Sequence, residues 1–111
     1  MEIALLVKYE GKCRREIFVL TKEKLVIGRS GAGYNLNDEL CSRRHCALYL
    51  NGKGEMLVQD LDSKNGTFLA NAAVRAPRRL RDGDIIHLGP VELRFRIWAE
   101  GGAETERIAR R

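Results

Sequence analysis

Residues 91–98 constrain the fold more than any other stretch. Val91, Leu93, Phe95 and Ile97 alternate with Glu92, Arg94, Arg96 and Trp98. A period of two sends one row of side chains into a core and the other toward water, which defines a half-buried β-strand. Short runs rich in Val, Ile, Leu and Phe recur at residues 3–8, 16–21, 24–28, 45–50, 55–60 and 84–88. Each is closed by turn residues, among them Asn51-Gly52-Lys53-Gly54, a strong hairpin signal, and Gly89-Pro90. No helical period of useful length appears before residue 99, and the chain has no internal repeat. Many short strands at this spacing predict an antiparallel sandwich or barrel. At 111 residues there is room for one domain.

The rest of the composition narrows the function classes. The longest apolar run, Ile3 to Val7, is five residues, against the ~20 that span a bilayer. Glu2 and Lys8 bracket it wrongly for a secretory leader, so a soluble, cytoplasmic protein is expected. Cys13, Cys41 and Cys46 are odd in number and lack C-x-x-C spacing. Cys41, His45, Cys46 and His87 could form a metal set, but small buried thiols are ordinary core residues; no metal and no cofactor are expected. The net charge of +5 admits an anionic partner. Arg75, Arg78, Arg79 and Arg81 cluster around Pro77, yet none of the seven aromatic residues joins them in a basic stacking surface. That cluster reads as a solvated loop, and nucleic acid is set aside in favour of a small phosphorylated ligand.

Four polar clusters fall between strands, where a rigid β scaffold displays function. They are Gly28-Arg29-Ser30, Ser42-Arg43-Arg44-His45, Ser63-Lys64-Asn65-Gly66-Thr67 and Asp82-Gly83-Asp84. Together with the run from Leu80 to Gly89, they resemble the signature of the forkhead-associated (FHA) domain over nearly the whole of residues 3–98. One departure is Asn71-Ala72, where that family often has Asn-Gly, so a looser hairpin is expected there. The resemblance implies an all-β, FHA/SMAD-like antiparallel sandwich of about ten to eleven short strands, with binding loops at one end. It also implies a module that binds phosphothreonine in partner proteins marked by a Ser/Thr kinase, and that is not an enzyme.

The chemistry of the side chains agrees. A phosphate at neutral pH carries up to two charges and three acceptor oxygens, and Arg meets two of them with one planar fork. By resemblance Arg29 is the principal phosphate ligand. Ser42 offers a hydroxyl and a backbone N–H to phosphate oxygens. Arg43 and Lys64 fall where the family lines its phosphate loops. Asn65 has two readings, a turn residue before Gly66 or the family's hydrogen bond to the peptide main chain beside the phosphothreonine. Gly28, His45, Gly66, Thr67, Gly83 and Asp84 are read as structural, with His45 pointing inward to brace the Ser42 loop. A catalytic Ser42–His45 pair is set aside, because an extended segment separates the two side chains and no nucleophile elbow is present.

The expected organisation is a domain at residues 1–98 and a flexible charged tail at 99–111, opened by Gly101-Gly102. Two rival functions were weighed: a phosphate-independent FHA scaffold in a larger assembly, against which Arg29, Ser42 and Asn65 stand intact, and a basic nucleic-acid binder. In the tail, Ile108 stands three residues after Thr105, a spacing many FHA-type domains prefer after phosphothreonine. A phosphorylated Thr105 would dock head-to-tail in a neighbouring molecule. Residues 99–105 reach only ~25 Å, and by the resemblance they start at the end opposite the phosphate loops.

Overall fold

The computed structural model describes residues 2–10, 12–20 and 23–99. Among them, in chain order, lie β1 (Glu2–Glu10), β2 (Cys13–Leu20), β3 (Lys24–Gly28), β4 (Tyr34–Asn35), β5 (Cys46–Leu50), β6 (Met56–Asp60), β7 (Thr67–Leu69), β8 (Ala72–Ala73), β9 (Arg78–Arg79), β10 (Ile85–Leu88) and β11 (Val91–Ala99). A six-stranded sheet runs β2-β1-β11-β10-β7-β8, and a five-stranded sheet runs β4-β3-β5-β6-β9.

The alternating run that constrained the sequence is the spine of the first sheet. β11 pairs antiparallel with β1 from Glu2↔Ala99 to Tyr9↔Glu92, and with β10 on its other side. Val91, Leu93 and Phe95 are buried and Ile97 packs against the same core. They meet Ile27, Leu48 and Val58 from the second sheet. Each fully buried side chain of this kind stabilises the fold by ~1.5–3 kcal/mol, so the two facing rows hold the layers together.

Four strands went unread in the sequence. β4, β7, β8 and β9 are two or three residues each, too short to show a period, and they exist through pairing: β7 and β9 with the distant β10 and β6, β4 and β8 with the nearby β3 and β7. β2 begins at Cys13 rather than residue 16, because Tyr9↔Arg14 and Glu10↔Cys13 extend its ladder past a bulge at Lys8/Tyr9; Thr21 lies outside the described residues. The sheets are not wholly antiparallel either. β3 and β4 pair in parallel, Ile27 with Tyr34 and Gly28 with Asn35. The chain doubles back there because Tyr34 and Leu36 bury their side chains in the core, and Gly31 (φ +70°) supplies the reversal.

The β7–β8 hairpin is tight rather than loose. Leu69 pairs with Ala72 across a two-residue turn in which Ala70 (φ 50°) and Asn71 (φ 66°) are both left-handed. This is the type I′ shape that hairpin twist favours, imposed on an alanine at a cost of about 1 kcal/mol.

Candidate functional site

Three loops converge at one end of the sandwich: residues 29–33 after β3, 36–45 before β5, and 61–66 between β6 and β7. The β10–β11 turn closes the same end, since the Cys41 thiol donates to Leu88 O (3.4 Å) and Gly89 leaves only 3.3 Å between its Cβ position and Leu40.

The backbone around Arg29 is fixed on both sides. Its N–H donates to Ser42 O (2.9 Å), its carbonyl accepts from the Asn37 N–H (3.0 Å), and the Gly28 carbonyl accepts from Leu36 N–H (2.8 Å). Gly28 is a requirement of space, since a Cβ there would fall inside the Arg43 carbonyl group and 3.0 Å from Ser42 O. The strand end can therefore lie flush against the Ser42–Arg43 backbone.

His45 joins the other two loops. Its ring is fully buried; Nδ1 accepts from the Ser42 N–H (3.1 Å) and Nε2 lies 2.7 Å from Gly66 O. A carbonyl can only accept, so Nε2 carries the proton and the neutral tautomer is set by its partners. Both ring nitrogens are thus occupied by backbone. The Ser42 N–H, read from the sequence as a donor to phosphate, is spent on this ring. The Ser42 hydroxyl accepts from the Lys64 N–H (2.9 Å). With that lone pair engaged, its own proton is directed elsewhere and the hydroxyl is left as a donor.

Asn65 bridges two of the loops. Nδ2 donates to Leu40 O (2.8 Å), tying the 61–66 loop to the 36–45 loop. Its Oδ1 has no partner among the described residues and can accept a peptide N–H. Asn65 itself is not left-handed; the turn's positive φ belongs to Gly66 (+87°) alone.

Beneath this loop is a carboxylate that the sequence reading passed over. Asp60 accepts from the Ser63 hydroxyl (2.6 Å), the Thr67 hydroxyl (2.6 Å) and the Ser63 N–H (3.1 Å). Ser63 Oγ then accepts from the Gly66 N–H (2.9 Å). Burial pushes the Asp60 carboxyl up, but the Ser63 and Thr67 hydrogen bonds outweigh it, and its pKa lies below the ordinary value. The local signal was an Asp ending a strand with Ser three residues on, an Asx-turn pattern. Cys41, 2% exposed, borders the site, its thiol pushed up to about 11 mainly by burial and secondarily by Asp38.

Arg29, Ser42, Arg43, Lys64 and Asn65 all line one open depression of about 280 Å³, with Glu39 and Leu40 at its edge. Three cations against one carboxylate make it an anion-attracting surface. Gly83 and Asp84 are not part of it. Gly83 (φ +93°) donates to Phe95 O, and Asp84 accepts from the Arg81 N–H (2.8 Å), so that turn locks β10 to β11 at the opposite end. Arg78 and Arg79 lie on the edge strand β9, with Arg79 paired to Glu55 (3.1 Å). Among the described residues no group of three His, Cys, Asp or Glu is placed to hold a metal, and no helix is long and apolar enough to cross a membrane.

The FHA domain profile matches residues 25–89, and the chain belongs to the FHA domain family. Over 92 residues it is 33% identical to the FHA domain-containing protein FhaB of Mycobacterium tuberculosis, covering 82% of this chain and 59% of that one. Over 73 residues it is 41% identical to FhaA of the same organism, covering 65% of this chain and 14% of that one. It therefore spans 59% of one relative's length and 14% of the other's, less than two thirds of either. A solved structure from work on phosphothreonine-dependent FHA domain interactions superposes with a TM-score of 0.75 at 35% identity, covering 85% of this chain and 95% of that one. FHA domains are binding modules, not catalysts.

Proposed function

We propose that the chain is a phosphothreonine-peptide receptor that acts in Ser/Thr-kinase-dependent signalling or assembly. The observation that carries the reading is the convergence of Arg29, Ser42, Arg43, Lys64 and Asn65 on one depression, on loops braced by hydrogen bonds to the buried His45 ring and to the Ser42 hydroxyl. The Arg29 fork takes two phosphate oxygens, the Ser42 hydroxyl donates to one, and Arg43 and Lys64 supply charge. Asn65 Oδ1 accepts a peptide N–H and sets the register. The 35%-identical FHA domain described for phosphothreonine-dependent interactions supports the same reading.

In this reading the domain is residues 1–98, of which the described part of β11 runs one residue further, and the cell compartment is the cytoplasm. The tail and Thr105 lie outside the described residues; a phosphorylated Thr105 docking in a neighbour's site follows from the sequence alone. Fluorescence anisotropy with a labelled phosphothreonine peptide tests the assignment. Two charge-assisted hydrogen bonds are at stake at Arg29, so Arg29→Ala in a folded protein weakens binding by roughly a hundred-fold or more. Equal binding by Arg29→Ala, or by the unphosphorylated peptide, refutes it.

A further inference from the structure

β1 is apolar on both of its faces. Ala4 and Leu6 face the core between the sheets, while Ile3, Leu5, Val7 and Tyr9 alternate with them and so face outward. The ladder registers extend this outer surface across the sheet. Val19 lies beside Leu5 and Leu5 beside Arg96; Ile17 lies beside Val7 and Val7 beside Arg94; Ile3 lies beside Trp98. Leu5 (4% exposed) and Val7 (7%) form the floor of a furrow, while Ile17 (49%) and Val19 (45%) stand open at its β2 side and Ile3 (41%) at its end along β1. A strand in a two-layer sandwich normally turns polar residues outward, and apolar residues on both faces mark burial on both faces.

We propose that this outer face is a docking surface for a second copy of the chain, packed face to face about a twofold axis. The face carries both signs of charge, with Arg14, Arg94 and Arg96 beside Glu92 and Asp82. Arg94 Nε is held by Glu92 (3.2 Å) and Arg96 Nε by Asp82 (2.8 Å), so each guanidinium keeps its two Nη groups for a further carboxylate. Arg94 also lies over the Tyr9 ring at 4.2 Å. A twofold axis near these pairs sets the arginines of one copy against the carboxylates of the other, with no foreign acid needed.

The size of the face fixes the strength expected. The registers carry the same outer side on to Ile85 and His87 of β10 and Phe68 of β7; these five strands, at ~4.8 Å spacing and about six residues of average length, span roughly 24 by 20 Å, close to 500 Å² per copy. The pair would bury ~1,000 Å², the low end for a specific interface, so the dimer is transient rather than obligate.

Sedimentation equilibrium of the full chain, bearing no phosphate on Thr105, reads this directly. A monomer–dimer equilibrium in the range of ~10 µM to ~1 mM is expected. Val19→Asp and, separately, Ile17→Lys raise the dissociation constant at least ~10-fold by burying a charge. Both keep the parent's phosphopeptide affinity, which depends on loops at the end of the sandwich and not on this face. Concentration-dependent NMR shifts in the unaltered protein give an independent readout, confined to the outer-facing residues of β2, β1, β11, β10 and β7. A chain that stays monomeric at about 1 mM overturns the proposal. So does a dimer that both substitutions leave intact, or shifts that map to the phosphate loops or the second sheet.

Discussion

Replacing Gly28 by Ala tests whether the phosphate depression depends on close contact between the end of β3 and the Ser42–Arg43 backbone. The added methyl would overlap the Arg43 carbonyl group and approach Ser42 O to 3.0 Å, and all of these are backbone atoms that cannot rotate away. Relief requires the loop to withdraw by roughly 1 Å or more. That strain costs about 1–3 kcal/mol by analogy with overpacked cores. The Arg29 N–H···Ser42 O bond of 2.9 Å is stretched or lost at the same time, about 1 kcal/mol more. A loss of roughly 2–4 kcal/mol leaves most domains folded at room temperature, since they begin with about 5–15 kcal/mol. The melting temperature should fall by roughly 10–25 °C, taking ~4–8 °C per kcal/mol at this size. Binding should suffer beyond stability, because Arg29 and Ser42 move apart and a misplacement of ~1 Å can cost two orders of magnitude. The assay pairs thermal melting with phosphopeptide titration of the folded variant. Gly52→Ala is the control, since nothing lies within 4 Å of its Cβ position. If Gly28→Ala melts within about 2 °C of the parent and binds the peptide equally well, the close-packing argument is wrong.

Three further outcomes are expected. A phosphoserine peptide should bind roughly 10–200-fold more weakly than its phosphothreonine counterpart, as one methyl group in an apolar contact is worth ~1–3 kcal/mol; equal titration curves would indicate a merely basic surface. Asp60 has its pKa lowered in the folded state, so it stabilises the fold fully above the unfolded value near ~3.9 and loses that contribution as pH falls below it toward the folded value. Melting temperature should therefore drop on acidification below about pH 4, with a shallower slope in Asp60→Asn, and an unchanged slope would remove Asp60 from the account. Replacing Ala70-Asn71 by Asn-Gly relieves the left-handed alanine and should raise stability by ~0.5–1 kcal/mol, read as a shift of a few degrees in the melting curve; no gain would mean that the turn is not strained.

The parts of the fold that were legible in the sequence share one property: their pattern is local. Residues 24–28, 45–50, 55–60 and 91–98 each carry enough apolar residues, bounded by Gly, Asn or Pro, to declare a strand without knowledge of its neighbour. β4, β7, β8 and β9 carry no such pattern, and Arg78 and Arg79 become a strand only because Val58 and Leu57 lie across from them. The parallel β3–β4 pair was illegible for a related reason, since direction is decided by where Tyr34 and Leu36 can bury. The site shows the same division. The family resemblance singled out Arg29, Ser42, Arg43, Lys64 and Asn65, which the structure brings to one depression, but hydrogen-bond direction was beyond it. That Ser42 spends its N–H on His45 and keeps its hydroxyl proton to donate depends on Lys64, twenty-two residues away. Asp60, passed over in the sequence, is the post on which the third loop is built.

The pairing of Glu2 with Ala99 gives the domain the handle of a plug-in unit. Both chain directions leave side by side, at the end away from Leu40, Gly89 and the phosphate depression. A host polypeptide can therefore enter and exit through adjacent points, and the unit can be spliced into a surface loop without reorienting its loops. Mechanically the same arrangement is a zipper. Tension between neighbouring strand ends peels the β1–β11 ladder one hydrogen-bonded pair at a time, starting at Glu2 and Ala99, instead of shearing all of it together. Force carried through the flanking chain would open the sandwich from its far side first, with the loops around Arg29, Ser42 and Asn65 the last part to feel it.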